Sequence, residues 1–213
     1  MIEYIKRNYP AEFRAENESG LIMGVPIVFD TPTDIGGYFQ ETICKGAITE
    51  ELLRNDVAFY FNHDLSGKKI ARSIIPLDKL GGMEFELKDN KVVMRVNPNR
   101  ERSDVNDLYL SIRDGTTDGM SFMFGVAEER WEDENTDYPK RFITRIDPIV
   151  EVSAVNYPAY KATSINVSRG DLLTENDKAL IGKLKERRQA EAEKSAKEKR
   201  ELELLKIRAK YLY

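Results

Sequence analysis

The stretch Met120-Ser-Phe-Met-Phe-Gly-Val126 alternates in character along its length, and this alternation decides the fold class. Side chains of a β-strand point to opposite faces with a period of two. The residues at even positions form one apolar face, whereas Ser121 lies on the other face with Met123 and Gly125. The pattern predicts a strand with one face in a core. A hydroxyl beside a glycine leaves room on the other face for an extended peptide.

Two further apolar stretches, Val57–His63 and Ile149–Val155, also read as strands. In the first, the alternation places His63 at the end of the apolar row, at the edge of a core. In the second, Glu151 and Ser153 share a face with apolar residues. A carboxylate in so apolar a strand is costly unless it has a partner. His63 is the only imidazole that the chain offers it.

The remaining body is predicted to be mostly strands joined by turns, with two helices and one long charged loop. A hairpin turns at residues 88–90, and Ser103 is positioned to cap the second helix. Many short strands with few helices favour a small β-barrel or sandwich with helical connections. The predicted strands are 20–29, 83–87, 91–96, 120–127, 142–146 and 149–157, the helices 47–54 and 103–113, and the loop 128–140.

Length and composition narrow the class of protein. The 213 residues fit one domain with an appendage, and 41% apolar with 33% charged residues suits a soluble globular protein. No run of 18 apolar residues is present, so no membrane-spanning helix is expected. One cysteine and one histidine exclude an intrachain disulfide and a multi-histidine or cysteine zinc site. No phosphate-loop or dinucleotide fingerprint occurs, so neither cofactor nor metal is expected.

Charge divides the chain into an acidic body and a basic tail. Residues 178–213 carry 12 Lys and Arg against 6 Asp and Glu, and residues 1–177 carry 21 against 31. The acidic body argues against direct nucleic-acid binding. From about Thr174 the composition favours helix, either as a solvated single helix or as a docking or coiled-coil helix. We therefore expect a body at 1–168 and a charged helical tail at 169–213.

Several segments, taken together in their order and spacing, resemble the tailed-phage prohead protease family. The matching features run across nearly all of residues 10–168. Glu41-Thr-Ile-Cys-Lys-Gly-Ala-Ile48 resembles the family's "E-x-I-x-x-G-A-F" segment, and Asn62-His63-Asp64 its "N-H-D" motif. The other matching segments are Gly24–Asp30, Ile70–Arg72, in which the usual glycine is missing, the "D-G-M-S" segment Asp118–Phe124 and the "E-V-S" segment Glu151–Tyr160.

The resemblance implies a serine endopeptidase related in fold to the herpesvirus assemblins, a small β-barrel surrounded by helices. It would act inside the assembling prohead in the host cytoplasm, cleaving the major capsid protein precursor and scaffold segments, including itself. The motifs give Ser121 as nucleophile and His63 as general base. Assemblins use a second histidine as third member, which this chain lacks, so Glu151 is the preferred third residue and Ser153 the reserve. The charged tail would serve targeting or scaffold docking, and the chain could self-associate.

A second hypothesis belongs to another class of function. The chain could be an inactive head-assembly or scaffolding protein that keeps a protease-like body and acts through its basic helical tail. The tail would then contact acidic scaffold surfaces or coiled-coil partners. Cys44 is expected to pack as a small hydrophobe, and a dyad of Cys44 with His63 is one alternative for the enzyme, beside an unrelated hydrolase that uses Ser121.

Overall fold

Two long antiparallel strands form the centre of the structure. The computed structural model describes residues 4–9, 12–16, 18–134, 136–156 and 175–210. Strand β10 spans Gly119–Glu132 and strand β11 spans Lys140–Val155. Their pairing runs from Gly119 opposite Val155 to Glu132 opposite Lys140, with several bulges between. Every other described strand is joined to this pair directly or through a series of paired strands.

The other strands and the helices follow the same chain order. The strands are β1 (Tyr4–Tyr9), β2 (Phe13–Ala15), β3 (Ile22–Val28), β4 (Thr33–Ile35), β5 (Phe39–Ile43), β6 (Ala58–Phe61), β7 (Ala71–Arg72), β8 (Gly82–Leu87) and β9 (Lys91–Asn97). The helices are α1 (Glu50–Arg54), α2 (Ser103–Arg113) and α3 (Glu175–Lys210).

The described strands form a single mixed sheet in the order β1-β10-β11-β6-β7-β8-β9-β3-β2, with β5 and β4 attached to the far end of β11. The sheet curls into a half-barrel, so that β3 contacts β10 and β1. The expected class, mostly β with helices and a C-terminal charged helix, is confirmed.

The apolar core fills the inside of the curl. The even-numbered residues of β10, Met120, Phe122 and Phe124, are fully buried there, as the alternation predicted. Helix α2 covers the core with residues at helical spacing, including Val105 and Ile112. A smaller second cluster contains Ile35, Phe39 and Ile181 of α3.

Three local predictions were wrong. The charged segment after Ala127 continues as strand to Glu132, because opposite charges face each other across the hairpin: Arg145 Nε donates to Glu128 Oε1 at 2.9 Å. The two strands predicted over 142–157 are one bulged strand, β11. Ser103 is the first residue of α2, whose N-cap is Arg102 without a side-chain cap.

The first part of helix α3 packs on the body. Ile181 and Leu184 are buried, Asp177 is buried in an ion-pair cluster, and the Arg187 guanidinium contacts Asp137. From residue 189 to 201 every side chain is exposed. The first three turns of α3 therefore bury apolar and charged groups against the body.

The division of the chain at residue 168 stays a prediction. The change of composition at 168–171 lies outside the described residues, as do the last four positions of the closing motif at 157–160 and the C-terminal end of the strand predicted over 149–157. Leu202, Leu205 and Ala209 have the spacing of a short apolar stripe, but their side chains lie outside the described residues as well.

Candidate active site

Strand register places Ser121 beside β11, the strand that carries Glu151. Ser121 of β10 lies directly opposite Ser153 of β11, and Met123 lies opposite Glu151. Residues paired in this way point to the same face and lie within contact distance. Ser121, Ser153 and Glu151 therefore share the face of the sheet that is turned away from the apolar core.

His63 reaches this face through an unusual turn. Strand β6 ends at Phe61, and Asn62 and His63 follow with φ of 52° and 59°, in the left-handed region. Such a conformation costs a non-glycine residue about 1–3 kcal/mol. Backbone hydrogen bonds hold the turn against this strain: Asn62 N donates to Ala154 O at 2.8 Å, and His63 N donates to Ser153 Oγ at 3.1 Å.

The predicted strand to His63 and its position on the apolar face are wrong. The two left-handed residues end the alternation of faces before it reaches the ring. His63 then lies on the face of Ala58 and Tyr60, which pair in parallel with Glu151 and Ser153.

The structure brings His63, Glu151 and Ser153 into one chain of hydrogen bonds. His63 Nδ1 lies 2.5 Å from Glu151 Oε1, and Ser153 Oγ donates to Glu151 Oε2 at 2.5 Å. Glu151 is 0% exposed, and both of its oxygens have a partner, as a buried carboxylate requires. Because a carboxylate only accepts, Nδ1 carries the hydrogen, and Nε2 is the basic nitrogen of the neutral ring.

Ser121 makes a different contact. It is 0% exposed, and its Oγ donates to the backbone carbonyl oxygen of Arg7 at 3.2 Å. Arg7 belongs to β1, which pairs antiparallel with β10 so that Asn8 lies opposite Ser121. Among the described residues, no hydrogen bond joins Ser121 to His63. The hydroxyl that the sequence singled out is therefore bonded to the N-terminal strand.

A buried cluster of four charges anchors β1 next to this serine. Arg7 Nε and Nη2 donate to the two oxygens of Glu41 at 2.5 and 2.8 Å. Arg141 Nη1 donates to Asp177 Oδ1 at 2.8 Å and to Glu41 Oε2 at 3.2 Å. Arg7 also lies 3.6 Å from Asp177. The cluster joins β1, β5, β11 and α3, and the sequence analysis did not identify it.

The titration of Glu41 follows from these contacts. Burial is the largest influence on its pKa and would raise it, because a carboxylate loses its hydration in the interior. The charges and hydrogen bonds of Arg7 and Arg141 together outweigh burial and hold the pKa of Glu41 below its ordinary value. The ionised form is therefore the one that stabilises the folded chain.

The structure offers less support for a cysteine nucleophile, a metal site or a membrane-spanning helix. Burial raises the pKa of the Cys44 thiol, whereas a nucleophilic cysteine needs a lowered one. Within the described ranges, no three potential ligands group as a metal ion would require. No described helix has both the length and the apolar composition needed to cross a membrane.

Comparison with known proteins identifies the class. Residues 9–177 match the model of the caudovirus prohead serine protease family. The chain is a serine peptidase of phage head maturation, and it belongs to this family. A search of curated proteins and a search of solved structures each found no match.

Proposed function

We propose that the chain cleaves capsid precursor and scaffold segments inside the assembling phage head, with Ser121 as nucleophile, His63 as general base and Glu151 as the residue that orients the imidazole. The observation that carries this proposal is the 2.5 Å contact between His63 Nδ1 and Glu151 Oε1, on the face of the sheet that also bears Ser121. Family membership supports the reaction class and the phage head as its place.

Each residue has one step in the proposed reaction. A serine hydroxyl is a weak nucleophile until a base accepts its proton. His63 Nε2 takes the proton from Ser121 Oγ as the oxygen attacks the peptide carbonyl carbon, and then returns it to the leaving amine. Glu151 keeps the Nδ1 hydrogen in place and stabilises the imidazolium that forms. Water then hydrolyses the acyl-enzyme ester, with the same imidazole as base.

Ser153 acts as a positioning residue in this proposal. Its hydroxyl donates to Glu151 and accepts from the backbone N–H of His63, so it fixes both partners of the pair. The reserve role as third catalytic residue is less favourable, because a hydroxyl compensates the charge of an imidazolium poorly compared with a carboxylate.

Co-expression of the capsid precursor with the chain tests the assignment. Ser121→Ala should abolish precursor cleavage while the melting temperature stays close to that of the wild type. Ser111→Ala is the matched control, since this serine lies on α2 and its hydroxyl bonds only the Asp107 carbonyl among the described residues. Cleavage by Ser121→Ala at the wild-type rate would reject the nucleophile. Absence of cleavage by the wild type, with correct assembly, would favour the inactive scaffolding alternative.

A further inference from the structure

Strand β1 lies where an extended peptide would pair with the strand that carries Ser121. It runs antiparallel along β10, the strand that carries Ser121, and pairs with it from Tyr4 to Tyr9. Ser121 Oγ donates to the carbonyl oxygen of Arg7 at 3.2 Å. Addition of an extended peptide to a sheet edge is a common mode of peptide recognition, in which backbone pairing gives affinity and side-chain pockets give specificity.

The side chain of Arg7 fills such a pocket. Arg7 lies opposite Phe122 in the register, so its side chain leaves on the face opposite to the Ser121 hydroxyl. It enters a fully buried site and meets both oxygens of Glu41, with Asp177 at 3.6 Å. The two-atom contact suits the planar fork of a guanidinium and suits a lysine ammonium less well.

The charges of the pocket favour binding of a positively charged side chain. With Arg7 present, two arginines face two buried acids, Glu41 and Asp177. Displacing Arg7 would remove one positive charge from a site in which Glu41 and Asp177 are both buried. Removing one partner of a buried ion pair is strongly unfavourable, and a positively charged side chain from another segment would replace it.

From these contacts we propose that β1 lies in the substrate site, and that Glu41 and Asp177 form a specificity pocket for an arginine directly before the cleaved bond. This inference rests on the proposed function of Ser121. Substrates are then extended segments that displace β1 and place their own arginine against Glu41. Ser121 Oγ forms an ester with the carbonyl carbon of that arginine, the C–N bond to the next residue breaks, and His63 passes the proton to the leaving amine.

Because β1 is covalently connected to the body, it competes strongly with substrate peptides for the site at Ser121. A tethered segment has an effective concentration in the millimolar range, so a dilute peptide in trans competes poorly with it. Weakening the contacts of Arg7 with Glu41 and Asp177 should therefore release β1 and expose Ser121. The full chain should be compared as wild type, Arg7→Lys and Arg7→Gln, with the fold of each checked by circular dichroism.

The first measurement is the rate at which a fluorophosphonate probe labels Ser121, located by mass spectrometry. Loss of charge-assisted bonds predicts that Arg7→Gln labels at least about tenfold faster than the wild type. Arg7→Lys keeps the charge, should fold even if Arg7→Gln does not, and should label at an intermediate rate. Wild-type labelling as fast as that of Arg7→Lys would overturn the proposal, since β1 would then not restrict access to Ser121.

The second measurement tests the pocket. In the folded Arg7 variant with the fastest labelling, a capped peptide Tyr-Ile-Lys-Arg-Asn-Tyr should slow labelling, and the same peptide with Gln for Arg should do so at least about tenfold less well. Equal protection by both peptides would overturn the arginine pocket. Absence of labelling at Ser121 in every folded variant would reject the nucleophile itself, and so separates a failure of the proposed function from a failure of this inference.

Discussion

Ser121 and Ser153 lie directly opposite each other on β10 and β11, and this pairing places the proposed nucleophile beside the residue that holds the His63 backbone. The relationship depends on register alone, because a shift of one residue would turn Ser121 toward the core. The bulges of the hairpin begin beyond Met123, so the pairing around Ser121 is regular.

Replacing Glu151 should lower kcat/KM less than replacing the nucleophile Ser121 does, but more than replacing the positioning residue Ser153 does. Glu151→Gln keeps the shape and removes the charge that favours the correct tautomer, so kcat/KM should fall by about 10²–10⁴. Ser153→Ala should lower it by about tenfold, since it removes only one bond from each partner. Peptide cleavage by purified protein is the measurement, with exposed Glu101→Gln as control. Full activity in Glu151→Gln would assign the acid a structural role.

Activity should require neutral His63. A protonated imidazole cannot accept the serine proton, so kcat/KM should rise from acid toward neutral pH. The chain has one histidine, so NMR would report a single ring titration against which the rate profile can be compared directly. A midpoint of the rate profile that departs clearly from the ring titration would argue against His63 as base.

Stability in acid should depend on Glu41. Its folded-state pKa is lowered, so the unfolded chain takes up the proton first as the pH falls below about 4.3. The stabilisation is therefore fully present above that pH and is lost as the pH falls through the folded value. Glu41→Gln should lose about 3–5 kcal/mol at pH 7 and show a flatter acid dependence.

Denaturant unfolding between pH 7 and pH 3 measures this difference. Glu101→Gln is the control, because Glu101 is an exposed acid in the turn before α2. The same acid dependence in wild type and Glu41→Gln would mean that the buried cluster is not the source of the effect.

The two parts of α3 should differ in their importance. A chain ended after Gln189 keeps the buried contacts and should fold and cleave peptide like the full chain. A chain ended at residue 174 loses Ile181 and Leu184, each of which contributes about 1.5–3 kcal/mol by burial, and also Asp177. It should therefore be markedly less stable in denaturant unfolding.

Incorporation into proheads tests the proposed targeting role of the outer helix. The chain ended after Gln189 should be incorporated poorly, and binding of the full chain to scaffold should weaken with salt, because exposed charges are screened over about 8–10 Å near physiological ionic strength. Normal incorporation of the shortened chain would reject the targeting role.

The sequence predicted the elements whose signal is local. Alternation identified β10 and the face of Ser121, and helical spacing identified α2. It failed at His63, because a pair of left-handed residues without glycine leaves no trace in hydrophobic periodicity. The partner of Glu151 was inferred by elimination, since a buried acid needs a partner and the chain has one imidazole.

The ion-pair cluster could not be predicted for a different reason. Its members Arg7, Glu41, Arg141 and Asp177 are separated by up to 170 positions and meet only when four elements pack together. The one available signal was the alternation of Ile5 and Arg7 in β1, which puts a charged residue in line with an apolar one. Such a pattern indicates a buried charge but does not name its partner.

The same cluster links the two ends of the described chain thermodynamically. Arg7 of the first strand and Asp177 of the last helix are neighbours, so their interactions with the body are not independent. Coupling of this kind is reciprocal. If a change in α3 alters the free energy with which the body binds β1, then displacement of β1 alters the free energy with which the body binds α3 by the same amount. A change in the free energy with which the body holds α3 at Asp177 should therefore change the free energy with which it holds β1 at Arg7.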